Sequence, residues 1–178
     1  MADTSEDTLN EQARRVRLLA LDVDGVLTDG RIYYGANGEE LKAFNIKDGL
    51  GIKLLQRDGI IVAIITGRTS AMVARRAAEL GIEHVVQGRE DKLTALKELC
   101  QTLDVALNEC AYMGDDLPDL SAINAAGLGL TVADANASVA SESAWQSTLC
   151  GGCGAVREAC DFMLRARGTL GNLEQGFR

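Results

Sequence analysis

The chain has 178 residues, 47% hydrophobic and 25% charged, which is the composition of an ordinary globular domain with material for one sizeable core. Its net charge of −8 offers no basic footprint to nucleic acid or to an anionic membrane, so a site for an anionic substrate must gather cations locally. No run of about 18 apolar residues and no signal-peptide pattern occurs, which predicts a cytoplasmic protein with neither a nucleic-acid nor a membrane partner.

Residues 1–16 mix charges with small polar groups, with some helical spacing near Leu9 to Val16, and predict a flexible N-terminal arm or a frayed helix. Leu18 to Leu21 is a continuous apolar run, the pattern of a strand buried on both faces, and it ends in Asp22 and Asp24. The strand period of two puts both carboxylates on one side of its carboxyl end, where open α/β sheets bind ligands. Two carboxylates so placed repel, and a cation between them or a shared proton relieves the repulsion. Ile32-Tyr33-Tyr34 and Glu40 to Phe44 then flank Gly35-Ala36-Asn37-Gly38, which reads as a hairpin standing over the sheet's carboxyl ends.

From Lys47 a helix is expected to run to Asp58-Gly59, followed by a strand over Ile60 to Ile65 that ends in Thr66-Gly67-Arg68. Ala71 to Leu80 predicts a helix, His84 to Val86 a third strand, and Glu90 to Leu103 a helix carrying Lys92 in its early turn. Cys110 to Met113 is a fourth strand, and Gly114-Asp115-Asp116-Leu117-Pro118-Asp119 follows it, with Pro118 suited to a first helical turn. Leu128 to Val132 is expected to be a fifth. After the Gly151-Gly152-Cys153-Gly154 break, an amphipathic helix spans Ala155 to Arg167, and residues 168–178 are a tail expected to be disordered until bound. The alternation predicts one α/β domain over residues 17–167, Rossmann-like and doubly wound, with a mostly parallel sheet, a hairpin insertion after the first strand and no cap domain.

Five cysteines, scattered and odd in number, read as reduced thiols. Cys150 and Cys153 form a CxxC with Cys160 downstream, but a zinc ribbon needs a second ligand pair. His84, the one histidine, opens a strand and reads as structural.

Such a fold gathers four polar strand ends at one rim: Asp22 with Asp24, Thr66-Gly67-Arg68, Lys92, and Asp115 with Asp116 and Asp119. In that order, DVDGVLTDG, ITGR, the isolated Lys92 and GDDLPD resemble the four motifs of haloacid-dehalogenase-superfamily phosphatases across residues 22–119. FNIKDGLGI (Phe44 to Ile52) and GGCGAVREACDFML (Gly151 to Leu164) extend the resemblance to the cap-less subgroup acting on octulosonate and nonulosonate phosphates.

The resemblance implies a phosphomonoester hydrolase in which Asp22 is the nucleophile and forms an aspartyl-phosphate, with Asp24 as general acid and base. It implies Mg²⁺ held by the Asp22 carboxylate, the Asp24 backbone carbonyl and Asp115, an all-oxygen set that suits that ion. Lys92 balances the transferring phosphoryl group, while Thr66 and the Gly67 amide hold its oxygens. Asn45, Lys53, Arg68 and Arg76 are the residues expected to reach the sugar acid, and Asp116 and Asp119 are expected to act from behind the metal ligands or as helix caps. The subgroup implies a homotetramer whose hairpins and tails cover neighbouring sites.

A receiver-like phosphoacceptor domain also combines acidic residues, Mg²⁺, a hydroxyl and a lysine. Asp24 argues against it, because a carboxylate two residues after the acceptor serves to hydrolyse the acyl phosphate.

Overall fold

Strand β1 (Leu18–Leu21) lies inside a six-stranded sheet, paired in parallel with β4 (Ile61–Thr66) on one side and β6 (Cys110–Gly114) on the other. The computed structural model describes residues 4–38 and 40–178. Outward from β4 comes β5 (His84–Gln87), and outward from β6 come β7 (Leu128–Thr131) and β8 (Trp145–Gln146), all in parallel, so the order is β5-β4-β1-β6-β7-β8. β2 (Tyr33–Tyr34) and β3 (Glu40–Leu41) form the antiparallel hairpin the turn residues predict, as a separate small sheet.

Helices α1 (Thr4–Arg15), α2 (Ile46–Arg57), α3 (Ala71–Leu80) and α7 (Ala155–Arg167) cover one face, burying Leu19 and Leu21 of β1 with Ile52, Leu55, Val73 and Met163. α4 (Lys92–Leu103), α5 (Leu120–Ala125) and α6 (Ala137–Glu142) cover the other, against Leu18, Ala20 and Tyr112. Each fully buried Leu, Ile or Met contributes about 1.5–3 kcal/mol relative to exposure, which is why the strands read as unbroken apolar runs. The doubly wound reading therefore holds, and the described residues between β1 and β4 form only the hairpin and α2.

The two chain ends differ from expectation. Residues 1–3 of the predicted N-terminal arm lie outside the described residues, but the rest forms α1, whose Ala13 joins the core with Val16 while Arg14 Nε donates to Ala166 O at 2.7 Å. A helix with a buried stripe does not fray freely. The predicted disordered tail likewise forms α8 (Leu170–Gln175), with Leu170 buried. β8 went unread because two residues carry no periodicity; Trp145 in it stacks on Phe162 of α7, with ring centroids 5.4 Å apart. All five cysteines are free thiols, Cys150 and Cys153 exposed and the other three buried.

Candidate active site

β1 stops at Leu21, so Asp22 is the first residue beyond the ladder, where its amide still donates to Met113 O at 3.0 Å. Asp22 continues the parity of Leu18 and Ala20 and faces the side covered by α4, which is how it meets Lys92 at that helix's first position. Lys92 Nζ lies 2.9 Å from Asp22 Oδ1 and 2.6 Å from Asp119 Oδ1. Tyr112, on the matching face of β6, donates to the same Asp119 oxygen at 2.8 Å. The other Asp119 oxygen accepts from the amides of Asp115 (3.1 Å) and Asp116 (3.3 Å) and so fixes the loop that presents Asp115.

The chain turns at once after Asp22, because the Val23 carbonyl accepts from the amides of Val26, Leu27 and Thr28 and Gly25 takes φ +95°. A Cβ at Gly25 would fall 2.0 Å from Asp115 Oδ2, so glycine here also makes room for that carboxylate. The result is a cluster of Asp22, Asp115 and Asp119 in which one carboxylate oxygen from each lies within 4.8 Å of the others.

The electrostatics follow from burial and crowding. Burial, then the Asp119 charge, pushes Asp22 well above the usual carboxylate range against the pull of Lys92. Burial followed by repulsion from Asp22 and Asp119 raises Asp115 to about 7. For Lys92, burial works to remove the proton, but Asp22 and Asp119 outweigh it and hold its pKa above the ordinary value. Asp22 Oδ1 is buried and, despite its ion-pair contact with Lys92, makes no aligned hydrogen bond. One ammonium among three acids leaves excess negative charge and an unsatisfied oxygen, a donor set that fits a hard divalent cation such as Mg²⁺.

These groups line one cavity of about 420 Å³ together with Asp24, Thr66, Gly67, Arg68 and Asp116. Thr66 is buried at the end of β4, its Oγ1 accepting from Arg68 N at 3.4 Å. Asp24 sits in the turn just beyond the ladder and lines the same cavity as Asp22, though its carboxylate is not one of the three that cluster. Its Oδ1 accepts from Lys42 Nζ, and its Oδ2 is 3.8 Å from Arg68 Nε. Arg68 in turn reaches Glu40 of the hairpin at 2.7 Å.

Three expected substrate residues lie outside this cavity. Asn45 caps α2, accepting from Lys47 N at 2.8 Å, and ties it to Gly152 O at 3.2 Å. Arg76 packs over Gly49 and reaches Asn45 O (3.4 Å) and Glu79 (3.4 Å), lining a neighbouring hollow of about 200 Å³ with Lys42 and Phe44. Lys53 sits well along α2 with its Nζ beside Gly81, which leads into the amino end of β5. The spacing of α2 and α3 carries their positions but not which way each long side chain turns.

Sequence reasoning missed Lys42, Glu40 and Tyr112. For Tyr112 a signal existed, a hydroxyl inside an apolar strand on the same parity as Asp22. For the hairpin pair there was none, since nothing local ties residue 42 to residue 24.

Residues 50–127 match the model of the haloacid dehalogenase-like hydrolases. The 3-deoxy-D-manno-octulosonate 8-phosphate phosphatase of Escherichia coli K12 is 49% identical over 89% of this chain and 85% of its own. The chain belongs to the haloacid dehalogenase-like hydrolases. It is a phosphomonoester hydrolase of that family. A structure of the octulosonate 8-phosphate phosphatase from Moraxella catarrhalis, in complex with magnesium, phosphate and a KDO molecule, superposes on this hydrolase with a TM-score of 0.95. That protein is 47% identical, over 99% of this chain and 100% of the other. A cobalt-bound phosphatase from Haemophilus influenzae gives a TM-score of 0.89 at 41% identity, over 93% of this chain and 98% of the other.

Proposed function

We propose that this hydrolase cleaves 3-deoxy-D-manno-octulosonate 8-phosphate to the free sugar acid and inorganic phosphate, in the cytoplasm, with Mg²⁺ as cofactor. The observation that carries the reading is the convergence of Asp22, Asp115, Lys92, Thr66 and Arg68 on one cavity. The substrate identity is supported by relatives of that name matching almost the whole chain.

Phosphate-monoester hydrolysis demands accelerations of up to about 10²¹, near 28 kcal/mol at about 1.4 kcal/mol per decade, which no single group supplies. Positioning contributes about 7–11 kcal/mol and a placed electrostatic donor about 3–4. Asp22 attacks phosphorus in line, its oxygen forming a bond as the bond to the sugar oxygen breaks, and Asp24 gives that oxygen its proton. Asp24 then takes a proton from water, which attacks the aspartyl-phosphate and releases inorganic phosphate. Lys92 and the Thr66–Gly67 turn hold the phosphoryl oxygens while charge moves, and Arg68 faces the sugar acid. Asp22, Asp115 and the Asp24 carbonyl would hold Mg²⁺, which would supply positive charge to the transferring phosphoryl group.

Ile32, Tyr34, Leu41 and Ile46 expose their apolar side chains along the hairpin and the start of α2, Ile46 at 83%. Exposed apolar side chains in this number support association, here into a homotetramer whose hairpins and tails cover neighbouring sites. Light scattering of the purified protein measures this directly, and a monomer at micromolar concentration rejects it.

The activity is tested on a panel of octulosonate 8-phosphate, nonulosonate 9-phosphates and simple hexose phosphates, each with Mg²⁺ and with EDTA. Fastest metal-dependent phosphate release from the eight-carbon acid is expected. A nine-carbon preference transfers the assignment to that substrate, and no release from any ester rejects the hydrolase in favour of a phosphoacceptor.

A further inference from the structure

Resting on that reading and going beyond it, we propose that Lys42, supplied by the hairpin, is a positioning residue that aims the Asp24 carboxylate at the leaving oxygen of the substrate. The Lys42 side chain is only 1% exposed, an unusual place for an ammonium unless its charge is paired. Its Nζ hydrogen-bonds Asp24 Oδ1 and lies 3.4 Å from Glu40 Oε1. It does not line the cavity that holds Asp22 and Lys92, so it acts on the reaction through Asp24 and not by touching the phosphoryl group.

Asp24 needs such a partner. It sits in the turn after β1, where no sheet ladder restrains it, and a free aspartate samples several staggered rotamers. With Lys42 on one oxygen and Arg68 Nε 3.8 Å from the other, the carboxylate is pinned from two sides at the cavity wall. A general acid works only within about 2.6–3.2 Å of the atom it protonates, and a 1 Å error can cost about 10²-fold. The hairpin thereby acquires a role inside its own subunit: β3 delivers, one residue past its end, the cation that orients the acid.

The test compares Lys42→Met, Lys42→Arg, Asp24→Asn and the double variant with the native protein on two esters. One is the sugar phosphate, whose alkoxide must be protonated as it leaves; the other is p-nitrophenyl phosphate, whose leaving group needs no proton. Lys42→Met is expected to lower kcat on the sugar ester by about 10–10²-fold, within the 10²–10⁴-fold a general acid contributes. It should leave KM close to native and reduce the first-turnover burst of p-nitrophenol by about tenfold less. Lys42→Arg should recover part of the sugar-ester rate, and in the Asp24→Asn background the methionine should cost nothing more. The double variant removes both charges of the pair, which keeps the comparison readable where Lys42→Met alone folds poorly. Equal losses on both esters, or additive losses in the double variant, overturn the inference while leaving the phosphatase reading intact. A native protein inactive on every ester overturns both.

Discussion

Tyr112 and Lys92 meet on a single oxygen of Asp119, at 2.8 and 2.6 Å, so a fully buried tyrosine on β6 helps set where the Lys92 ammonium stands. Burial, then the charges of Asp119 and Asp22, drives the phenol pKa well above its ordinary value, and the hydroxyl stays a donor throughout the working range. Tyr112→Phe removes one hydrogen bond to a charged group, at a cost of about 1.5–3 kcal/mol in stability. Urea unfolding should show that loss as a lower midpoint with an unchanged slope, and kcat should fall by about tenfold or less.

Asp22→Asn tests the nucleophile. The amide cannot form the acyl phosphate, so turnover should drop by at least roughly 10⁴-fold. The fold should survive, because a neutral group avoids the cost of burying a charge and then relieves the repulsion from Asp119, the two causes that raise the Asp22 pKa. Phosphate release and circular-dichroism melting, measured on the same sample, check both halves; substantial residual turnover excludes Asp22 as nucleophile.

The acidic cluster should be stabilised by its ion. Mg²⁺ at 100 times its dissociation constant is expected to add about 2.7 kcal/mol to unfolding, and EDTA should remove both that gain and the activity. Gly25→Ala should abolish the gain, since the new methyl would lie 2.0 Å from Asp115 Oδ2 at a φ of +95°. Thermal melts with and without Mg²⁺ decide this.

Asp48 predicts a pH dependence of stability away from the cavity. It is 1% exposed, its Oδ1 accepts from Arg157 N at 2.8 Å at the start of α7, and its Oδ2 has no partner. Burial raises its pKa from 3.8 to about 6, against the pull of the Arg157 and Gly154 amides. A carboxyl with a raised folded pKa binds a proton that the unfolded chain has released. Its stabilising contribution is therefore complete below the unfolded value of 3.8 and lost as pH rises through about 6, a fall of at most about 3 kcal/mol. Asp48→Asn keeps an oxygen for the Arg157 amide and removes this slope, so the stability difference between variant and native should grow in the variant's favour across that window and then level off. A constant difference from pH 4 to about 7 contradicts the assignment.

The helical stops were legible because local chemistry sets them: Gly81 takes the left-handed conformation that ends α3, and α2 stops before Asp58-Gly59, whereas Asn45, expected at the substrate, turned out to cap α2. The same holds for Asp22, Thr66, Lys92 and Asp115, each placed by a strand end or a first helical turn. Asp24 was placed at the right rim, but its partners were not legible, since Lys42 comes from the hairpin and Arg68 from the turn after β4. Arg76 and Lys53 show the limit for long side chains: their helices were read correctly, but four or more rotatable bonds leave direction to whatever neighbour pairs with the charge.

By itself the sequence determined the order of strands and helices, the single crevice at the strands' carboxyl ends and the acidic residues that fill it, because burial pattern and turn chemistry are local. Only the tertiary structure decided which charges meet. Lys42 finds Asp24 across 18 positions and Tyr112 reaches Asp119 from inside the core, contacts set by how the hairpin and β6 pack rather than by any spacing along the chain. A charge taken out of water must be matched by whatever side chain the fold brings within reach, and that match is made in three dimensions.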